Sequence, residues 1–365
     1  MSKILKSPAK YVQGPNTLAQ LDQYLQGMGN RLLIIISQSG TKRICPTLEQ
    51  CFAGKDFALH YEVFQGECSQ AQIDRLVSAA KEQGCTAIVG IGGGKILDTA
   101  KGVAYYAGLP VIIIPTVAST DSPCSSLSVV YRDNGEFERY LFLDSCPDMV
   151  LVDTAVITKA PVALLVAGMG DAMATWFEAR ACRASGKDNQ VHAKPTRAAT
   201  GLASMCWEYL QGYGVQAKAD VEANICSEAV ETIVEVNTYL SSVGFESGGL
   251  AAAHAIQKGF TFIPQLHEQY HGNKVAFCTL TQLMLENAPE EERSAVLAFC
   301  SAVGLPVCFA DMGYPEVDHA LLRLAAEKAC VAGSTIHNMP FPVTPDMVYA
   351  ALLEADAAGR AYRAE

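Results

Sequence analysis

The first 160 residues alternate short apolar runs with helical patterns of apolar and polar positions. Four of the runs are continuously apolar and rich in β-branched residues, as strands buried on both faces of a parallel sheet usually are. They cover residues 32–36, 86–91, 111–114 and 149–152. Because residues 69–83 and 96–106 have helical periodicity, the pattern predicts repeated βαβ units.

A hairpin pattern and then a purely helical pattern follow. Strand-like residues 127–131 and 139–143 flank Asn134-Gly135, a dipeptide that favours a tight hairpin turn. After Pro161 the alanine-rich helical patterns continue without a convincing strand. We therefore predict an α/β N-terminal domain with a parallel sheet over residues 1–160, followed by an all-α C-terminal domain over residues 161–365.

Composition narrows the class of protein. Of 365 residues, 50% are hydrophobic and 18% are charged, which is typical of a globular chain with roughly two full cores. The net charge of −11 argues against nucleic acid or an anionic membrane surface as the main partner. The 13 cysteines are scattered without a Cys-x-x-Cys pair, which favours a reducing compartment. With no signal-peptide pattern and no apolar run of membrane-spanning length, we expect a soluble, cytoplasmic protein.

Three residues suggest a metal site: Asp171, His254 and His271. Asp171 follows two glycines and opens a run of helix formers, so we expect a helix to begin at or near it. His254 lies in a small-residue helical stretch, and His271 precedes Gly272, which would free the backbone there. One carboxylate and two imidazoles form a donor set for a divalent metal with an open position, as Lewis-acid catalysis requires.

Each of these residues also has an ordinary structural interpretation. An aspartate at a helix start is usually an N-cap, and a histidine in an apolar helix is usually a hydrogen-bonded core residue. His267, four residues before His271, could share its helical face and is either a competing ligand or a partner of a ligand.

A glycine-rich segment suggests a phosphate site. Gly92, Gly93, Gly94 and Lys95 follow a predicted strand and open a predicted helix, where backbone N–H groups can bind a pyrophosphate. Ile96 stands where a Walker A loop needs Ser or Thr, and the spaced Gly-x-Gly-x-x-Gly pattern is absent. A tight strand-to-helix turn is the alternative interpretation.

A polar loop follows the next predicted strand. Residues 115–126 offer several hydroxyl groups and the Asp121 carboxylate. Because open parallel sheets bind ligands at the carboxyl ends of their strands, this loop could bind a ligand, although the same residue types also form ordinary turns.

These motifs, taken in order, resemble the bacterial glycerol dehydrogenases, within the superfamily of iron-containing alcohol dehydrogenases and dehydroquinate synthase-like enzymes. The resemblance runs nearly end to end. It is carried by Gly92-Gly93-Gly94-Lys95, Asp98-Thr-Ala-Lys101, Pro-Thr-x-Ala-Ser-Thr-Asp-x-Pro-Cys-Ser at 115–125, Gly-x-Gly-Asp-Ala at 168–172, the segment 244–254 and the segment 270–277.

The resemblance implies a dinucleotide-binding N-terminal domain, a metal-binding C-terminal domain and an active-site cleft between them. It implies zinc bound by Asp171, His254 and His271, and oxidation of glycerol and other 1,2-diols to dihydroxyacetone and other hydroxyketones with NAD. Asp121 would face the substrate hydroxyls. Relatives that use iron place a histidine four residues after the metal aspartate, where this chain has Thr175, which favours zinc. The implied cofactor contacts are Ser37, Gly92, Gly93, Gly94, Lys95, Asp98, Thr116, Ser119, Ser125, Leu127 and Tyr131.

One position departs from the family pattern. The family usually has an aspartate after its first strand, which binds the adenosine ribose and repels a 2′-phosphate, and this chain has Ser37 there. With Lys42 and Arg43 close in sequence, we expect weaker NAD preference and some use of NADP. Alternatively, Ser37 simply ends the strand and NAD remains preferred.

Three other functions are alternatives. A lyase of the dehydroquinate synthase type acts on a phosphorylated substrate and would need several clustered basic residues. This chain offers few near the predicted site, with Lys274 the obvious one, which argues against a lyase. A 2-oxo acid or aldehyde reductase of the same superfamily, possibly NADP-dependent, is the leading alternative. A non-catalytic metal- or nucleotide-binding protein is the third. The resemblance also implies a homo-oligomer, and we expect it to be an octamer.

Overall fold

The computed structural model describes residues 2–364. Its residues group into two compact units, one made of Lys6–Ala160 with Asn224–Glu231 and the other of the remaining described residues. The predicted limits at 1–160 and 161–365 therefore differ from this grouping in residues 2–5 and 224–231.

The first unit is an α/β unit built on a parallel sheet. Its strands are β1 (Tyr11–Gly14), β2 (Arg31–Ser37), β3 (Ala58–Phe64), β4 (Ala87–Gly92), β5 (Val111–Pro115), β6 (Leu127–Tyr131), β7 (Phe137–Phe142) and β8 (Met149–Asp153). Its helices are α1 (Leu21–Tyr24), α2 (Gln38–Phe52), α3 (Gln70–Glu82), α4 (Gly94–Ala107) and α5 (Thr154–Ile157). Six strands pair in parallel in the order β1-β8-β5-β4-β2-β3.

The predicted buried strands are the central strands of this sheet. One face packs against α1 and α2 through residues such as Ile34 and Leu48. The opposite face packs against α4 so closely that a Cβ atom on Gly90 would lie 2.5 Å from the Ala100 Cβ. Burial on both faces explains the continuous apolar runs, and the predicted fold class is confirmed.

Sequence patterns missed the two edge strands, β1 and β3. Their residues are only partly buried, and β3 mixes polar His60 and Glu62 among apolar residues. An edge strand packs less completely than a central one, so it lacks the continuous apolar run used for prediction.

The predicted hairpin is present as a separate two-stranded sheet. β6 and β7 pair antiparallel, with Leu127 opposite Phe142 and a register shift between Val130 and Tyr131. Gly135 in the turn has a φ of 87°, which explains the glycine at that position.

The second unit is helical. Its helices are α6 (Val162–Ser185), α7 (Arg197–Glu222), α8 (Glu228–Glu235, which begins in the first unit), α9 (Ser241–Gly248), α10 (Ala252–Gly259), α11 (His271–Leu285), α12 (Glu290–Val303), α13 (His319–Ala329) and α14 (Pro345–Ala364), with a π-helical turn at Val236–Leu240. By length and mean hydropathy α6 could cross a membrane, but most of it is buried against α7, α9 and α11, as expected of a core helix.

Candidate functional site

Asp171 lies in the interior of α6, where it is fully buried. The helix begins at Val162, so the prediction of a helix start at Asp171 is wrong, and Asp171 is not an N-cap. Gly170, one of the two preceding glycines, does not mark a helix start, because it serves helix packing instead. A Cβ atom on Gly170 would lie 2.4 Å from the Gly272 carbonyl oxygen of α11.

Gly272 completes this close helix contact. A Cβ atom there would lie 1.7 Å from the carbonyl oxygen of Ala167 on α6, which no larger residue could accept without moving a backbone. His271 is the first residue of α11 and directly precedes Gly272. Gly272 therefore permits the close approach of α6 and α11, the helices that carry Asp171 and His271.

The three predicted ligands meet in one cluster, each from a different helix. The Asp171 Oδ1 atom lies 3.3 Å from Nε2 of His254 and 3.3 Å from Nε2 of His271. One ligand atom from each residue can be chosen so that all lie within 4.8 Å of one another. The His271 side chain is 38% exposed, whereas Asp171 is fully buried, so the cluster is open on the His271 side.

These distances fit a small divalent ion. Ligand atoms at the corners of a tetrahedron about 2.0–2.1 Å from zinc lie about 3.3–3.4 Å apart, which is the edge length observed from Asp171 to each imidazole. One carboxylate with two imidazoles is also a donor set that zinc and other first-row ions accept. The residues present thus fit a metal centre.

The charges of the cluster support one another. Burial raises the pKa of the Asp171 carboxyl, but the adjacent His271 and His254 imidazoles outweigh burial and hold this pKa below its ordinary value. Burial lowers the pKa of His254, but the carboxylates of Glu178 and Asp171 outweigh it and raise that pKa. A metal ion and a proton therefore compete for the same imidazole nitrogen.

Glu178 is a site residue that the sequence interpretation missed. Its Oε2 lies 2.5 Å from Nδ1 of His254, the ring nitrogen that does not face Asp171. This carboxylate places the imidazole proton on Nδ1 and leaves the Nε2 lone pair for a metal. Glu178 follows Asp171 by seven residues, two helical turns, and this spacing was the available signal.

His267 is not part of the cluster. Its Nε2 bonds the Thr261 carbonyl oxygen at 2.9 Å, and it lies before α11 instead of on a helical face shared with His271. Both roles suggested for His267 are therefore wrong. Thr175, at the position where iron-using relatives were expected to have a histidine, is buried with its hydroxyl 2.8 Å from that of Ser241.

In the first unit, the glycine-rich segment forms the end of β4 and the start of α4. A Cβ atom on Gly92 would lie 2.6 Å from the Ile96 side chain, so tight packing alone explains that glycine. Cβ atoms on Gly93 and Gly94 would meet nothing closer than 3.6 Å, so packing does not explain those two. Gly93 is the N-cap and makes no side-chain cap hydrogen bond, which suits α4 for an anion at its N-terminus.

The sheet order places this segment at a topological switch point. From β2 the chain passes outward to β3 and then returns to β4 on the other side of β2. Ser37 ends β2 and Gly92 ends β4, so both border the crevice where such sheets bind nucleotides.

Lys101 organises the neighbouring polar loop, a role that the sequence motif containing it did not predict. It is 1% exposed, and its Nζ donates to the carbonyl oxygens of Ser122 at 2.5 Å and Leu127 at 3.0 Å and to the Ser125 hydroxyl at 3.2 Å. Asp98 lies 3.5 Å from the same ammonium. A buried cation thus holds the loop between β5 and β6 in shape.

Several predicted cofactor residues have contacts within the protein. The Asp98 Oδ2 accepts the Val129 N–H at 3.1 Å, and burial raises the Asp98 pKa. Lys95 pairs with Glu67 at 2.5 Å. Burial raises the pKa of Tyr131, on β6, to about 12.

The remaining predicted cofactor and substrate residues lie on or beside the same loop. Thr116 is buried and its N–H donates to the Gly92 carbonyl oxygen at 3.0 Å. Ser119 and Asp121 are half-buried in the loop, and Leu127 begins β6. The fold thus brings most of the predicted cofactor positions to the β4 and β5 ends of the sheet, and their contacts with a cofactor stay predictions.

Comparison with known proteins agrees with this arrangement. Residues 8–154 match the family described as iron-containing alcohol dehydrogenase. The chain is 50% identical over 365 residues to a glycerol dehydrogenase of Escherichia coli O6:H1, covering 100% of both sequences. The chain belongs to the iron-containing alcohol dehydrogenase family.

Two other known proteins are also similar to this chain. The chain is 41% identical over 363 residues to a glycolaldehyde reductase of Halobacterium salinarum, again covering 100% of both. A crystal structure of a probable glycerol dehydrogenase from Sinorhizobium meliloti superposes with a TM-score of 0.93 at 40% identity, covering 99% of this chain and 100% of the other. The predicted resemblance is confirmed. The protein is an oxidoreductase of the alcohol dehydrogenase type, and its family implies a nucleotide cofactor and a metal.

Ser37 has a structural role in this family member. Its hydroxyl accepts the Gly40 N–H at 3.0 Å and so caps α2. Lys42 and Arg43 are exposed in the first half of α2. Ser37 thus ends the strand, as the simpler interpretation held, but two cations follow it closely.

Lys274 does not supply a basic cluster for a phosphorylated substrate. Its Nζ donates to the Leu266 carbonyl oxygen at 3.3 Å, and burial lowers the Lys274 pKa. The observation gives no support to a lyase of the dehydroquinate synthase type.

Proposed function

We propose that this protein oxidises glycerol and related 1,2-diols to hydroxyketones, with NAD as hydride acceptor and zinc bound by Asp171, His254 and His271. The observation that carries the proposal is the cluster of these three residues, in which the distances from Asp171 to the two imidazoles match the edges of a zinc tetrahedron. The cluster occurs in a chain that is 50% identical to a glycerol dehydrogenase over its whole length. For glycerol, the C2 carbinol loses a hydride to NAD⁺ and a proton to solvent, giving dihydroxyacetone and NADH.

The residues of the chain have separate tasks in this proposal. When bound, zinc and NAD would supply Lewis acidity toward a hydroxyl group and a hydride acceptor. Asp171, His254 and His271 hold the ion, and Glu178 keeps His254 in the binding tautomer. Gly93, Gly94 and the uncapped start of α4 bind the pyrophosphate of the nucleotide. Asp121 binds a second substrate hydroxyl, which favours diols over simple alcohols.

Zinc is preferred to iron because of Thr175. A histidine at that position would add an imidazole to the cluster, whereas Thr175 bonds Ser241 and leaves three ligands. Three protein ligands with one open position are typical of catalytic zinc.

A second candidate function is reduction of a small hydroxyaldehyde. It is favoured by the 41% identity to a glycolaldehyde reductase. Glycolaldehyde presents two oxygens on adjacent carbons, as a 1,2-diol does, so the same metal site and the same Asp121 could bind either. A 2-oxo acid shares that arrangement of oxygens.

Metal removal gives the first prediction. We expect NADH formation from glycerol to fall to background after chelation and to return with zinc, because the proposed activation of the hydroxyl needs a Lewis acid. Initial rates at the reduced-nicotinamide absorbance band measure this, with Fe²⁺ return as the comparison and glycolaldehyde plus NADH in parallel wells. No turnover of any diol by protein containing stoichiometric zinc would contradict diol oxidation and move the search to aldehydes and oxo acids.

Cofactor choice gives the second prediction. We expect the NADP-to-NAD ratio of kcat/KM to exceed about one hundredth, a discrimination of about 2.7 kcal/mol, because Ser37 carries no charge to repel a 2′-phosphate. Ser37→Asp is a matched variant, since aspartate also caps helices. It should lower NADP use at least about tenfold while NAD use remains. A ratio below one hundredth for the unmodified protein would contradict the expectation.

Two further features belong to the proposal. We propose a cytoplasmic location, which suits 13 cysteines that form no disulfide among the described residues. We also propose a homo-oligomer, an octamer by resemblance to the family, acting on small molecules without nucleic acid or membrane partners.

A further inference from the structure

The N-terminus of α10, which carries His254, is capped by side chains from two other helices. The first N–H groups of a helix have no partner within the helix. The N–H groups of Ala251 and His254 donate to Oε1 of Glu178 at 2.9 and 3.0 Å. Those of Ala252 and Ala253 donate to Oε1 of Gln282 at 3.1 and 3.0 Å. Two oxygen atoms therefore satisfy four successive backbone donors.

The helices that supply these caps also supply the other two ligands of the cluster. Glu178 is on α6 with Asp171, and Gln282 is on α11 with His271. Each cap lies a whole number of turns from its ligand, seven residues on α6 and eleven on α11, so cap and ligand share a helix face. The caps therefore fix the position of His254 relative to α6 and α11, the helices that carry Asp171 and His271.

Gln282 can act as a cap in one orientation only. Its Nε2 donates to the Phe177 carbonyl oxygen at 3.1 Å and to Oε1 of Glu286 at 2.8 Å. Glu286 is held in turn by Arg180 at 3.0 Å. Because the amide nitrogen is fixed on that side, the amide oxygen must face α10.

Glu178 divides its two oxygens between two tasks. Oε1 accepts the two backbone N–H groups, and Oε2 faces Nδ1 of His254. Glu178 and Asp171 are both 0% exposed, and a divalent ion with neutral imidazoles would balance their two charges. An amide could not replace this carboxylate, because its single oxygen could serve the backbone or the imidazole but not both.

We propose that Glu178 and Gln282 are positioning residues that fix the place of His254 before metal binds and keep its Nδ1 paired with a carboxylate, so that Nε2 is the nitrogen that faces the metal position. Metal affinity and metal geometry then depend on two residues that touch no metal. This inference rests on the proposed metal at Asp171, His254 and His271.

The test measures zinc affinity by competition with a chromophoric chelator and the visible absorption of the Co²⁺-loaded protein. Glu178→Gln should weaken zinc binding by about 10–100-fold and alter the cobalt spectrum, because the amide breaks one of the two sets of contacts. Gln282→Met leaves two backbone N–H groups without their cap and should also weaken zinc binding. If Glu178→Gln does not fold, Gln282→Met tests the proposal in its place.

Asp356→Asn is the matched control. Asp356 is a mostly buried carboxylate of the same unit that accepts the Phe309 N–H at 2.8 Å and pairs with Arg360 at 2.7 Å, and neither partner belongs to the cluster. The Asp356→Asn substitution should lower the free energy of unfolding of the metal-free protein without changing its zinc affinity or the spectrum of its cobalt form.

The outcomes separate the two proposals. The positioning role would be overturned if either variant, Glu178→Gln or Gln282→Met, folded and kept the zinc affinity and the cobalt spectrum of the unmodified protein. Unmodified protein that binds zinc no better than His271→Ala would instead overturn the metal centre.

Discussion

His271→Ala should lower kcat/KM for glycerol with NAD by about a thousandfold or more and release the metal. The variant removes one of three ligands and leaves Asp171 and His254, too few for a stable catalytic zinc site. Lewis-acid stabilisation contributes several kcal/mol to such reactions, and about 4 kcal/mol corresponds to a thousandfold in rate. Metal content after dialysis and initial rates measure the two effects.

His267→Ala is the matched control for that variant. His267 lies four residues earlier and bonds the Thr261 carbonyl oxygen, so its loss should leave zinc content and turnover nearly unchanged. If His271→Ala remained active and fully loaded with zinc, the assignment of the third ligand to His271 would be wrong.

Gly272→Ala should destabilise the protein by about 3 kcal/mol or more. The added methyl group would overlap the Ala167 carbonyl oxygen, with 1.7 Å between the Cβ and oxygen positions, so α6 and α11 would have to move apart. Overpacking of a rigid site usually costs about 1–3 kcal/mol, and here the opposing atom belongs to a backbone. Urea unfolding of the chelated protein measures the loss apart from metal binding.

Gly201→Ala is the control for Gly272→Ala, and its expected effect on stability has the opposite sign. Gly201 is exposed in the interior of α7, and a Cβ atom there would meet nothing within 4 Å. Alanine should therefore stabilise the protein by about 0.5–1 kcal/mol, because glycine loses more conformational freedom in a helix. Equal unfolding free energies for Gly272→Ala and the unmodified protein would contradict the close helix contact. A Gly272→Ala protein that also binds zinc more weakly would show that the contact positions His271.

The central strands and the helices α3 and α4 could be predicted because their patterns are local, whereas α2 was not predicted. Residues 32–36 and 111–114 are apolar on both faces, and the strands found there, Arg31–Ser37 and Val111–Pro115, extend them by only one or two residues. The hairpin at Asn134-Gly135 was equally local. The edge strands were missed because partial burial removes the apolar run.

The three candidate metal ligands could be predicted from the sequence, but the residues that position them could not. Asp171, His254 and His271 were named from residue type and small neighbours, and the structure brings all three together. Gln282 carries no unusual local pattern and Glu178 carries only its two-turn spacing from Asp171, and both become caps only where α6 and α11 meet α10.

The sequence by itself determined the alternation of strand and helix in the first half, the helical second half and the chemical types available for a site, since each depends on neighbours along the chain. Only the tertiary structure decided that Gly170 serves helix packing, that His267 lies outside the cluster, and that the buried Lys101 holds a loop in shape. The physical reason is that these facts depend on close approach between segments distant in sequence, such as Ala167 and Gly272, and no local periodicity records such an approach.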